Sequence, residues 1–387
     1  MDATDAKQTA AEAAHTGADL PPEEEVRAPI PPTIMALAAD APRLCFDPAL
    51  ARERAHGAIL GAALGDALGL QVEGDDTETV ADRHPGGNLD LPYKGAFKGH
   101  PPNDWTDATD FTVLVMRALG AYFDSKTEEP ASDFAVRAVQ WHRTGFAELG
   151  DTAGICPEGV VVRAMAHAGF AKDPAEAARA VKGPKADNGA LIRTAACAFT
   201  AAPSDWATLF CEATHADERC AATTLMLTLL LNALSRVPAT AAVPPTTAVA
   251  PIAQGRDLLT DGARKTDYMQ RLTNTKRLED LKLGERENRS YTLKTCAVAM
   301  WAYRQLVKTP AAKRDADFFK ATVRAVAAQG GDASANAAVA GAVLGAVLGA
   351  ASLPEDWLSA LPNSKWLAAE VETFLSSAAP TWELPAM

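Results

Sequence analysis

The chain has 387 residues and 48% hydrophobic content, enough for one large domain or two ordinary ones around a sizeable core. Its formal charge of −12 disfavours non-specific nucleic-acid binding, which needs a basic surface, so no nucleic-acid partner is expected. The six cysteines form no C-x-x-C pair and no zinc-like Cys/His spacing, and Asp2 and Asp5 begin no apolar signal segment; a reduced, cytoplasmic setting is expected.

Residues 1–45 are rich in Ala, Glu, Pro and Asp, include Pro21-Pro22-Glu23-Glu24-Glu25, and read as a disordered acidic arm. A domain spanning 46–378 follows, with residues 379–387 as a tail. Apolar periodicity predicts helices over 51–70, 111–123, 132–143, 158–168, 190–199, 206–214, 219–235, 291–307, 315–329 and 336–351. Alternating strand patterns are scarce, so the expected fold class is all-α, a compact multi-helix domain. The stretch 237–289 reads as an insertion, opening with a Pro/Ala/Thr loop over 237–252 and continuing as one or two charged helices. The uncharged run 337–353 is shorter than the roughly 20 apolar residues of a bilayer span and is dominated by Ala and Gly; it reads as a buried core helix, with no membrane role.

Gly57, Gly61, Gly65 and Gly69 share one helix face, as do Gly341, Gly345 and Gly349. A glycine in a helix costs about 1 kcal/mol relative to Ala, so these placements predict a close helix–helix approach. Such an approach would bring together two polar segments that each open an apolar run: Asp104-Trp105-Thr106-Asp107-Ala108-Thr109-Asp110 and Gly330-Gly331-Asp332-Ala333-Ser334-Ala335-Asn336. Hydroxyls and carboxylates in these positions serve either as helix caps or as oxygen ligands for a hard cation such as Mg²⁺. Taken alone, Thr106, Asp107 and Asp332 allow both readings. Asn188-Gly189 reads either as a plain turn or as a phosphate contact before a helix. His215 reads as a ligand contact or an interhelical histidine, and His100 sits in a loop beside the first segment.

Together these segments resemble the ADP-ribosylglycohydrolase family, over about three quarters of the chain. The stretch 57–69 with Glu73 resembles the family's opening helix and the acid after it; Asp104-Trp105-Thr106-Asp107 resembles G-D-W-T-D-D-T; Asn188-Gly189 with Arg193 resembles N-G-x-x-M-R; Thr214-His215-Ala216-Asp217 resembles T-H-x-D; the stretch 291–302 resembles the penultimate helix; and Gly330-Gly331-Asp332 through Asn336 resembles G-G-D-x-D-T-N. The resemblance implies an all-α fold with a central metal and ligand cleft, two Mg²⁺ or Mn²⁺ ions, and hydrolysis of the glycosidic bond between ADP-ribose and a modified protein. It implies catalytic roles for Glu73 and Asp107, ligand contacts from Asn188, Gly189 and His215, and metal ligation by Thr106, Asp107 and Asp332; His100, from its loop beside the first segment, is a further expected ligand contact, and Ser334, through its hydroxyl, a further expected metal ligand.

Three positions depart from the family pattern: Ala108 and Ser334 stand where it has Asp, and Ala335 where it has Thr. Two formal charges leave the cation site, and neither Ala offers a side-chain oxygen. The expectation is one weak Mg²⁺ (or Mn²⁺) site or none, with impaired hydrolysis; the alternative is a catalytically inactive pseudoenzyme that binds ADP-ribose or scaffolds a partner. The expected partner is ADP-ribose or an ADP-ribosylated protein, and the expected state a monomer.

Overall fold

The computed structural model describes residues 48–378 apart from 95, 96, 98, 157, 158 and 184. The expected acidic arm and C-terminal tail lie outside the described residues. Within them the all-α expectation holds: helices form every regular element, and pairing is confined to the isolated bridges Phe97–His100 and Asp187–Tyr291.

The long helices α1 (Pro48–Leu70) and α13 (Ala333–Leu348) form the centre. Both are apolar on nearly every face, as suits helices surrounded by protein. They approach backbone to backbone at the glycines. A Cβ built on Gly61 would lie 2.6 Å from the Gly341 carbonyl oxygen, and one on Gly57, Gly65 or Gly69 would overlap the carbonyls of Gly345, Ala337 or Ala333. The glycine stripes thus set the separation of the two helices. They also lay the C-terminal end of α1 across the N-terminal end of α13.

That end of the pair is fixed by a turn that only glycine suits. Gly330 and Gly331 both have positive φ (69° and 72°), and a Cβ on Gly331 would overlap the Leu283 carbonyl. The Gly331 N–H donates to Asp75 O (2.7 Å) and its carbonyl accepts from the Gly74 N–H (2.8 Å), tying the loop after α1 to the entry of α13.

Around this pair lie α2 (Thr77–Arg83), α3 (Asp107–Phe123), α4 (Pro130–Thr144), α5 (Val160–Met165), α6 (Pro174–Ala180), α7 (Pro203–Glu212), α8 (Glu218–Leu234), α9 (Val249–Asp257), α10 (Gly262–Met269), α11 (Thr292–Lys308), α12 (Ala316–Ala327), α14 (Glu355–Ala360) and α15 (Ser364–Ala378). Helices α8, α11 and α12 pack on α13, while α15 packs on α3 and α1. The helix expected over 190–199 is a turn followed by a 3₁₀ helix, Arg193–Phe199. Its residues are all buried, and apolar periodicity does not separate a buried 3₁₀ turn from an α-helix.

The stretch read as a loop and solvated helices is partly built into the core. Val243, Ala248, Tyr268 and Leu272 are buried, and Tyr303 and Arg314 donate to the carbonyls of Pro244 (2.7 Å) and Ala241 (2.9 Å). Of the run 337–353 expected to be a core helix rather than a membrane span, residues 337–348 lie in α13, which is buried throughout apart from Ala335, while Gly349 ends the helix and Ala350–Ser352 form a 3₁₀ turn. Among the described residues no helix is long and apolar enough to cross a membrane.

Candidate functional site

Asp66 is fully buried near the C-terminal end of α1. Its oxygens accept the Thr106 N–H (3.0 Å) and hydroxyl (2.8 Å), the Thr109 N–H (3.2 Å) and hydroxyl (2.7 Å), and the hydroxyl of Ser334. These donors use the roughly four lone-pair sites of a carboxylate. Asp66 therefore clasps the starts of α3 and α13. Thr106 is also the N-cap of α3, its hydroxyl oxygen accepting from the Ala108 N–H at 3.2 Å, and it lies 3.4 Å from the Ser334 hydroxyl.

A cavity of about 330 Å³ opens against this clasp. Its described lining includes Glu73, His100, Thr106, Asp107, Ala108, Asn188, Gly189, Asp332, Ser334 and Ala335, so the fold unites the two polar segments with the Asn188-Gly189 turn. Glu73 accepts the Ser334 N–H at 3.0 Å, and the Asn188 amide donates to Thr295 (2.8 Å) and to Asp332 (3.1 Å). His215 is not in the lining: it is 1% exposed and stands one layer behind the wall, against Asp187.

The lining is acidic, with Glu73, Asp107, Asp187 and Asp332 facing one guanidinium, Arg289. Burial, joined by the like charges of Asp66 and Asp332, pushes Asp107 up to about 7 against an opposing hydrogen bond from the Cys156 thiol (3.3 Å). Burial raises Asp332 as well, against hydrogen bonds from Ser290 and Asn188. His100 is held below its ordinary value by burial, with Asp66 opposing. Asp104 and Asp110, the other acids of the first segment, are engaged elsewhere. Asp104 accepts the Trp105 N–H (3.0 Å), and Asp110 accepts the indole N–H of Trp105 (2.7 Å) and of Trp141 (3.2 Å).

Asp187 behaves differently. Burial would raise it, but the His215 Nε2–H (2.6 Å) and the backbone N–H groups of Val160 (2.8 Å) and Gly189 (3.2 Å) hold it below the usual carboxylate value. Behind it runs a chain with one consistent proton order. Arg193, always a donor, gives to the Thr214 hydroxyl oxygen and to the carbonyls of Phe210 (2.7 Å) and Gly189 (3.1 Å). The Thr214 proton then goes to His215 Nδ1 (2.7 Å), which leaves Nε2 protonated toward Asp187. Burial keeps His215 below its ordinary value, and the imidazole is neutral in this arrangement.

Sequence reasoning passed over Asp66 and Cys156 as site residues, and weighed Asp187 only as an unfavourable neighbour for a phosphate at Asn188-Gly189. Asp66 carries a signal that could have found it, a lone carboxylate in an apolar Gly/Ala helix, since a buried charge needs donors. Among the described residues no three His, Cys, Asp or Glu side chains converge in a way that could hold a metal ion.

The ADP-ribosylglycohydrolase family model matches residues 47–383, and the chain belongs to that family. Among solved structures it is similar to a chain described as "ADP-ribosylglycohydrolase-related protein complex", at 25% identity and a TM-score of 0.56, covering 85% of this chain and 99% of that one. No curated protein matches the sequence at a significant level.

Proposed function

We propose that this protein derives from hydrolases of the glycosidic bond between ADP-ribose and a modified protein or related conjugate, and that its own hydrolysis is impaired at the cation site. The observation that carries the reading is the bonding of Asp66. Ser334, where the family pattern has a second Asp, donates its hydroxyl to Asp66, and so does Thr106. Neither hydroxyl brings charge, and Ala108 and Ala335 bring no oxygen. Mg²⁺ demands near-octahedral oxygen coordination with strong charge attraction, so this donor set does not suit a two-ion centre.

What remains for chemistry is the acid wall. As a ribosyl bond breaks, positive charge develops on the ribose, and Glu73 and Asp107 are placed on the lining to stabilise it. That contribution alone supports only residual cleavage. The test is ADP-ribose release from a mixed pool of ADP-ribosylated proteins in Mg²⁺, Mn²⁺ or EDTA. The wild-type chain is expected to release ADP-ribose slowly but above the protein-free background, and an Ala108→Asp/Ser334→Asp/Ala335→Thr variant to release it much faster and only when metal is present. Metal-dependent release by the wild type at the rate of that variant would overturn the reading.

A second reading, an inactive module that binds ADP-ribose or scaffolds a partner, is favoured by the retention of the cavity with Asn188 and Gly189 on its wall. It predicts weak but saturable binding of ADP-ribose, or capture of a partner, with no release under any metal condition.

A further inference from the structure

We infer that Asp187 is a built-in anion: its carboxylate fills an anion-accepting part of the cavity wall and sets the wild-type chain against phosphate-bearing ligands there. Identifying the excluded ligand as a nucleotide diphosphate rests on the reading of the cavity as an ADP-ribose cavity.

Three donors from separate stretches of chain meet at this carboxylate. The Val160 N–H reaches one oxygen, and the Gly189 N–H and His215 Nε2–H reach the other. Converging backbone N–H groups joined by a side-chain donor are the usual means of holding a phosphate oxygen. None of these donors is free to turn away. The His215 proton is directed by Thr214, whose own proton order is fixed by Arg193, and all three are buried.

Charge favours an anion at this place. Arg193 is wholly buried, bonds only neutral oxygens among its described partners and leaves its Nε without one, so Asp187, beyond His215, supplies the nearby negative charge. Space favours it too. A Cβ on Gly159 would meet only one Asp187 oxygen, at 3.5 Å, so the carboxylate is approachable on that side, while on the other Val161 and His215 close around Gly189. The carboxylate is 24% exposed and lies on the cavity lining, where an incoming phosphate would compete for the same donors. With Asp187 present, such a phosphate meets a filled site and a like charge.

The experiment titrates inorganic pyrophosphate and ADP-ribose separately into the full chain as wild type, Asp187→Gly and Asp187→Asn, with folding checked by circular dichroism. Asp187→Gly empties the cradle; Asp187→Asn keeps its shape without the charge and serves if the glycine variant does not fold. Pyrophosphate affinity is expected to rise about tenfold or more in Asp187→Gly, a gain of the size expected from charge-assisted hydrogen bonds, and less in Asp187→Asn. Adding His215→Phe to Asp187→Gly is expected to remove the gain. A parallel gain for ADP-ribose supports both the anion site and the cavity reading, whereas a pyrophosphate gain with no measurable ADP-ribose binding by any of the chains keeps the anion site and sinks the ADP-ribose reading. Measurable ADP-ribose binding that is equal in wild type and both variants overturns the inference and leaves that reading standing. No pyrophosphate gain in either folded variant overturns the inference outright.

Discussion

A carboxylate out of reach of water survives only where donors replace the water, and Asp66 shows how completely a helix start can supply them. Truncating it takes the acceptor from hydroxyls on both α3 and α13 and from N–H groups at the start of α3. Asp66→Ala is expected to lower stability by about 3 kcal/mol, and Ser334→Ala, which removes one donor, by about 1 kcal/mol, read from urea unfolding midpoints. Similar losses for the two variants would contradict this account of the clasp. His215 and Asp187 make a separate prediction. Both are held below their ordinary values of 6.5 and 3.8, so each contributes stability that is present above that value and lost as pH falls. His215 should therefore tilt the melting temperature downward from pH 7 toward pH 5 as its unfolded form takes up a proton, against the upward tilt from Asp107, whose carboxyl is pushed up to about 7 in the folded chain. His215→Gln should remove the downward part, so that its melting temperature falls less or rises more toward pH 5 than that of the wild type; an unchanged slope would exclude the assignment. At this scale the motif positions Thr106, Asp107, Asp332 and Asn188 were legible as neighbours. The bonding of Asp66 and Asp187 was not, because their donors come from stretches far apart in sequence and only the fold joins them.

At the scale of elements, the glycine stripes are the clearest case of sequence dictating geometry. Gly65→Ala would drive a methyl group into the Ala337 carbonyl, where neither backbone can yield without separating α1 from α13. A loss of about 2–3 kcal/mol in chemical denaturation is expected, in the range of overpacked cores. Gly262→Ala, at the start of α10 with nothing within 4 Å, is the matched control and should stabilise by roughly 0.5 kcal/mol. Equal effects at the two positions would refute the close-approach argument. The long central helices were readable because their apolar and glycine patterns run for several turns. Short α2, α6 and α14 were not, since a helix of about two turns offers too few repeats to establish a period. Helix α15 is absent from the sequence expectation although Leu367, Val371, Phe374 and Leu375 fall at helical spacing; Pro354 and Pro362 interrupt the pattern just before it.

For the whole molecule, the chain has the family's all-helical framework, with a cavity where its two polar segments meet. On the function proposed above, Ala108, Ser334 and Ala335 reduce the charge offered to cations there, and on the further inference Asp187 occupies donors suited to anions. The departures from the motifs were visible in the sequence. Their physical consequence was only half visible, because the sequence does not say that the Ser334 and Thr106 hydroxyls both turn to Asp66. The most direct measurement is the number of Mn²⁺ ions bound by the full-length chain at equilibrium, beside Ala108→Asp/Ser334→Asp/Ala335→Thr. The account predicts no more than one weakly held ion on the wild type and two on the restored variant; two tightly held ions on the wild type would contradict it.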